Sequence, residues 1–359
     1  MNNSSTTVAG TPEHVEYIQT LLLELLKTPS PTGDTKTIIR RLTEEVSSFG
    51  ITSTTSRKGA LLFTVPGEDA SKARLLTGHV DTLGGMVKEI LPSGRLRLTQ
   101  VGGYAWNTIE GEYCEVHTES GQTITGTVIL HNTAVHVNRE IGKTERTQDN
   151  IEVVLDAKSD TKKEAEALGV SVGDFVYFDA RSTITPSGYI KSRHLDDKAS
   201  VAILFGLLRE IQQKSIKLPH PVHFLISNNE EIGYGGNSNI PPETWEYLAV
   251  DMGAIGDGQT TSESCVSICA KDSSGPYHLG LRRHLVSLAE QAGLTYAVDV
   301  YPYYNSDASM AMRAGVDVKH GLIGPGVANS HAYERTHVAA LDNTFKLLLA
   351  YVQSPLVME

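Results

Sequence analysis

Cysteine is nearly absent from this chain: Cys114, Cys265 and Cys269 are the only three in 359 residues. Three cysteines are too few for a disulfide framework and suit a reducing cytoplasm. Cys265 and Cys269 fall on one face of a strand expected over 263–270. With no second cysteine pair or nearby histidine to complete a zinc site, they read as small buried hydrophobes. Positive charge is also short. Lys and Arg total 31 against 42 Asp and Glu, a formal net charge of −11, which argues against nucleic acid and anionic membranes as partners. No apolar run is long enough to span a bilayer. The polar, Ser/Thr-rich residues 1–10 lack the basic and apolar regions of a signal peptide. Neither a repeat of fixed period nor a low-complexity tract is present. What remains is an ordinary globular composition, 40% hydrophobic and 20% charged, at a length that favours two domains over one core.

Thr11-Pro12 reads as a helix start, a cap residue followed by proline at the first helical position. Tyr17, Leu21, Leu22, Leu25 and Leu26 continue it as an apolar stripe. The loop Thr28-Pro29-Ser30-Pro31-Thr32-Gly33-Asp34 stops it, and a second helix spans about 35–49. Apolar runs at 60–65 and 74–77 read as strands, the second ending in Gly78-His79-Val80-Asp81-Thr82. From 84 to 183 valine, threonine and glycine dominate, in short alternating runs such as 123–130, 151–155 and 174–178, with only 161–168 helical. This predicts a small all-β, barrel-like domain at 84–183, inserted into a discontinuous α/β domain of residues 1–83 and 184–359. The α/β pattern resumes with Leu195-Asp196-Asp197-Lys198 and a helix over 199–213. Strands at 222–226, 247–250, 295–300 and 316–323 follow, with helices at 279–292 and 338–351 and a loop at Gly324-Pro325-Gly326 running to His331. Strand, helix and polar strand end recur, the pattern of an α/β sheet with its working loops at one edge.

The feature that organises the chain is Ser227-Asn228-Asn229-Glu230-Glu231-Ile232-Gly233-Tyr234-Gly235-Gly236. Two carboxylates sit on a turn at the mouth of a sheet, followed by glycines that let backbone or substrate come close. Alone, the pair reads as a solvated acidic turn. Taken singly, His79 is a core histidine, Asp196 a helix cap, Asp251 a turn former and His331 a loop residue. Their coincidence at one predicted sheet edge is what points to chemistry. Hydrolytic metals of the zinc type favour a mixture of imidazole and carboxylate. Two-metal sites hold their ions roughly 3.5–4 Å apart, within the span of one bridging carboxylate. The inventory fits such a site: Asp196 could bridge, with His79 and Asp251 completing one ion and Glu231 and His331 the other. Asp81, two residues after His79, could accept the second ring N–H of that histidine and fix its tautomer.

Gly78-His79-Val80-Asp81, Leu195-Asp196-Asp197-Lys198, Glu230-Glu231-Ile232-Gly233 and Val250-Asp251-Met252-Gly253 together resemble the tetrahedral aminopeptidase family. Its members are also known as deblocking or glutamyl aminopeptidases and as cellulase M. The resemblance covers nearly the whole chain. It implies a zinc-exopeptidase α/β fold, a mixed sheet flanked by helices, with an inserted β-barrel-like domain. It implies two divalent ions (zinc, or cobalt or manganese) held by His79, Asp196, Glu231, Asp251 and His331, with Glu230 as general base and Asp81 as partner of the first histidine. The implied protein is a cytoplasmic metallo-aminopeptidase acting on short peptides, a homo-oligomer whose dimers build a dodecamer. The chain departs from the family at Thr82, where an acidic residue is common, and around the last histidine, where His320 and His337 compete with His331. His194 beside Asp196 reads as a local hydrogen-bonding residue. The rival readings are a metal-dependent deacylase or carboxypeptidase with the same ligands, and a catalytically silent scaffold. A glycosidase is a further rival, but its two carboxylates must face each other across a sugar, which neighbours Glu230 and Glu231 do not do easily.

Overall fold

A computed structural model describes residues 12–358; the Thr11 cap and the polar start fall outside the described residues. The first helix runs Glu13–Lys27 with Pro12 at the N-cap position, so it starts one residue later than expected.

Nine strands build the central sheet, in the order Ser53–Thr55, Leu61–Val65, Val222–Ser227, Ala73–His79, Thr244–Val250, Lys319–Val327, Val266–Lys271, Tyr296–Val300, with Gly253–Ala254 pairing beside Lys319–Val327. Val222–Ser227, Ala73–His79, Thr244–Val250 and Lys319–Val327 are mutually parallel, so their carboxyl ends open on one edge. These central strands are covered on both faces, which is why their sequences are near-continuous apolar runs rather than alternations. Every residue of Val222–Ser227 is buried. The helix Leu195–Gln213 is buried along most of its length. It packs between Glu13–Lys27, Val338–Gln353 and the strands, in a core containing Ile18, Leu22, Leu76, Leu204, Phe224 and Phe345. Each such side chain contributes on the order of 1.5–3 kcal/mol on leaving water.

Gly84–Ile90, Leu96–Val101, Ile151–Leu155, Thr123–Leu130, Tyr113–His117 and Phe175–Phe178 close, in that order, into an antiparallel barrel. It encloses its own core, including Val87, Leu98, Val116, Val128, Val153 and Val176. Alternation along Thr123–Leu130 buries Gly126, Val128 and Leu130 on the inward face. The lone helix here, Lys162–Ala167, starts where the Thr161 side chain accepts the N–H of Glu164. All three cysteines are buried and free. Among the described residues, no helix is long and apolar enough to cross a membrane.

Two elements differ from expectation. Gly324, Pro325, Gly326 and Val327 continue the strand Lys319–Val327 instead of forming a loop. The glycines there meet a demand for closeness, not flexibility: a Cβ on Gly324 would lie 1.4 Å from the carbonyl oxygen of Asp251. In addition, Thr183–Ile184, Tyr189–Ser192 and Glu334–His337 form a small sheet of three strands, with Ser192 opposite Glu334. It ties the approach to Asp196 to the chain leaving His331.

Candidate active site

The parallel edge delivers its polar residues together. His79 ends one central strand. Asp251 directly follows Thr244–Val250, and its N–H bonds the Ile323 carbonyl at 2.9 Å on the neighbouring strand. Asp196 enters at the start of the helix Leu195–Gln213, with non-helical backbone at Asp196 and Asp197. The 3-10 turn Glu230–Ile232 follows Val222–Ser227. His331 arrives from the loop after Lys319–Val327 in a left-handed conformation, φ 65°. Two groups of potential donor atoms result, His79–Asp196–Asp251 and Asp196–Glu231–His331, each with its atoms within 4.8 Å of one another. Asp196 belongs to both.

The contacts inside the cluster are specific. His79 Nε2 lies 3.2 Å from Asp196 Oδ1, and His331 Nε2 lies 3.5 Å from Asp196 Oδ2 and 3.6 Å from Glu231 Oε2. Each histidine turns its other nitrogen to a carbonyl. His79 Nδ1 is 3.0 Å from the Asp81 backbone oxygen, and His331 Nδ1 meets the Gly103 oxygen, which follows the barrel strand Leu96–Val101. Each Nε2 therefore faces the carboxylates, where with no ion bound it donates to Asp196 and where its lone pair could instead serve a cation. Glu230 joins neither group; its Oε2 lies 3.8 Å from His79 Nε2. The Asp81 carboxylate is 3.4 Å from His79 Nδ1, so the closer acceptor for that histidine is Asp81's backbone oxygen. The carboxylate itself accepts the N–H groups of Glu230 and Glu231, both at 3.2 Å, and the Thr32 hydroxyl at 2.8 Å.

Burial dominates the electrostatics. It pushes Glu231 up to about 8 and Asp251 up to about 7, with the Asp196 charge adding to both. Burial also raises Glu230 well above the usual carboxylate range, against the pull of His79 and with Asp251 adding to the rise. Asp196 behaves oppositely: burial opposes ionisation, but hydrogen bonds from His331 and His79 hold its carboxyl well below the ordinary range. His331 would be lowered by burial, yet Asp196 and Glu231 raise it to about 10. Carboxylates crowded at this depth repel one another and need a cation. A donor set of carboxylate oxygen and imidazole nitrogen suits divalent ions of the zinc type.

The other histidines lie elsewhere. His194 Nε2 meets the Phe178 oxygen at 3.1 Å, His320 packs on the ring of Tyr277, and His337 caps Ala339 and meets the Ser187 oxygen. Thr82 is buried and bridges to Pro31. Sequence reading passed over Thr32, and it also passed over Asp307. The Asp307 carboxylate takes the Gly236 N–H at 2.6 Å and the Ser227 hydroxyl, gripping both ends of the glutamate loop. A Cβ on Gly236 would come within 2.6 Å of Asp307 Cβ, so the loop glycines allow that grip. In the sequence Asp307 shows only as the end of the polar run Asn305-Ser306-Asp307, at the start of the short helix Asp307–Arg313. The cluster opens into a cavity of about 730 Å³ lined also by Met252, Tyr304, Met310 and Arg313.

Comparisons with known proteins identify the family and the fold. A family model described as M42 glutamyl aminopeptidase matches residues 59–347. The chain belongs to that family. YhfE of Bacillus subtilis (strain 168), a protein described as an aminopeptidase, is 58% identical to this enzyme over 337 residues, or 94% of this chain and 97% of its own. A TET aminopeptidase from a marine sediment archaeon (Thaumarchaeota) superposes with a TM-score of 0.84 at 18% identity, over 94% of this chain and 96% of its own. The Pyrococcus horikoshii TET1 peptidase, which can assemble into a tetrahedron or a large octahedral shell, gives 0.82 at 23% identity, over 94% and 100%. The fold is that of TET aminopeptidases, and the enzyme is a hydrolase, a metal-dependent aminopeptidase.

Proposed function

We propose that this aminopeptidase releases N-terminal residues from short peptides at a site for two divalent ions, with Glu230 carrying the proton. The observation that supports the reading best is the sharing of Asp196 by two donor groups while Glu230 belongs to neither. His79, Asp196 and Asp251 would hold one ion, and Asp196, Glu231 and His331 the other. Zinc, cobalt and manganese all suit these donors. Bound there, the ions supply Lewis-acid polarisation of the scissile carbonyl and acidify water. Glu230 takes a proton onto its carboxylate as the water oxygen bonds to the carbonyl carbon. It then gives that proton to the amine nitrogen as the C–N bond breaks. Asp81 orients this machinery by holding the N–H groups of both glutamates. The substrate's α-ammonium group meets the acidic wall of the cavity.

Residues 84–183 act, in this reading, as an inserted domain within the catalytic domain of 1–83 and 184–359, in a cytoplasmic homo-oligomer. Exposed Val135 and Val137, between two barrel strands, are apolar surface available for subunit contact. A sizing measurement that returned a monomer would remove the role in assembly. The catalytic assignment is tested by Glu230→Gln. Turnover of a free-amine peptide should fall by at least about a thousandfold, with metal content unchanged; wild-type turnover would sink it. Cleavage of an N-acetylated peptide as fast as of its free-amine form would favour a deacylase.

A further inference from the structure

We propose that Glu334 is a positioning residue that locks the turns bearing Asp196 and His331 into one register, and so sets the affinity of the site for its divalent ions. The inference rests on the two-ion reading above. Glu334 is 2% exposed and is a member of neither donor group. Its carboxylate instead grips backbone from both sides. Oε2 accepts the N–H of Leu195 at 2.6 Å and of Asp196 at 3.2 Å, and Oε1 accepts the N–H of His331 at 3.3 Å.

Of the three gripped residues, Asp196 and His331 need outside support. Asp196 has φ −75° and ψ 103°, outside helical geometry although at a helix start, and His331 is left-handed. Neither N–H enters the ladder of a helix or sheet, so the carboxylate supplies what regular structure does not. The small sheet aims it: Glu334 stands opposite Ser192, four residues before Asp196 in the chain. A second tie crosses the same gap, from the Ser330 hydroxyl to Asp196 Oδ2 at 2.9 Å. Asp196 is common to both donor groups and His331 belongs to one. A shift between their turns therefore changes the distance the second ion depends on. Buried carboxylates are costly unless hydrogen-bonded, and this one faces N–H donors on two turns.

The test compares wild type with Glu334→Gln, Glu334→Asp, His331→Ala and the remote core truncation Leu42→Ala. For each, the melting temperature of the metal-free protein, the zinc affinity by chelator competition and the visible spectrum of the cobalt-loaded protein are measured. Glu334→Gln presents an amide N–H to donors. It should fold, bind zinc about tenfold to a hundredfold more weakly and show an altered cobalt spectrum. Glu334→Asp keeps the charge but is too short to reach both turns, and should lose less. Leu42→Ala should lower the melting temperature and leave zinc affinity alone. Wild-type affinity and spectrum in Glu334→Gln would overturn the proposal; were that variant not to fold, the same result in Glu334→Asp would do so. His331→Ala separates the two layers. If it binds metal like wild type, the ligand assignment fails; if it binds weakly while both Glu334 variants do not, only the role of Glu334 fails.

Discussion

Thr32 shows how far the site depends on single polar atoms outside it. Its hydroxyl donates to Asp81 Oδ2 at 2.8 Å, on a carboxylate that also holds the backbone of both glutamates. Thr32→Val keeps the shape and removes the donor, leaving Asp81 short of a partner in a buried setting. The expected result is a fall in kcat of about tenfold, with wild-type activity retained in Thr32→Ser. Equal activity in both variants would show that the hydroxyl does no orienting. Residues of this kind are the ones that sequence reading misses. His79, Asp196, Glu230, Glu231, Asp251 and His331 each end or follow a strand, or open a helix, in a way that periodicity exposes. Thr32, Asp307 and Glu334 bind backbone N–H groups or a carboxylate brought from far along the chain, and no local pattern marks that.

At the scale of elements, the strand Lys319–Val327 was legible to Ile323 and not beyond. Gly-Pro-Gly carries the composition of a turn, and only the neighbouring chain reveals why glycine is needed. Gly324→Ala would drive a Cβ to 1.4 Å from the Asp251 oxygen. Stability should drop by at least about 3 kcal/mol, with loss of bound metal because Asp251 must move. A melting temperature and metal content equal to wild type would contradict this packing. The edge strand Tyr296–Val300 carries a different device. Asp299 accepts the N–H and hydroxyl groups of Thr260 and Thr261. Burial favours its neutral form, but those hydrogen bonds outweigh burial and hold its carboxyl below the ordinary range. The stability it contributes is thus complete above the unfolded value of about 3.9 and is lost as pH falls through the lower folded value. Asp299→Asn should cost about 1–3 kcal/mol at neutral pH, and the gap to wild type should narrow below about pH 4. Denaturant titrations showing a gap that stays constant into acid would contradict the assignment.

For the whole molecule, the α/β pattern and the β texture of 84–183 could be read in advance because each follows from a repeating period. The sheet order could not, since Val222–Ser227 inserts between Leu61–Val65 and Ala73–His79 and nothing local announces such a partner. The proposed metal site, in turn, should be a stability element. Stripping the ions leaves buried carboxylates opposed to one another, so chelation should lower the melting temperature reversibly. Zinc at about a thousandfold excess over its Kd should restore roughly 4 kcal/mol. A chelated protein that melts at the same temperature would place tightly held ions elsewhere.

The bond from His331 to the Gly103 oxygen couples the end of a barrel strand directly to the candidate site. Excising the barrel, or replacing it with a relative's, should displace the His331 ring unless residues 102 and 103 return to the same place. A subunit pressing on the barrel would have a lever two residues long, from the end of Leu96–Val101 to the imidazole ring. Excision variants should therefore be scored for ring orientation, by the imidazole resonances of His331, before they are scored for assembly.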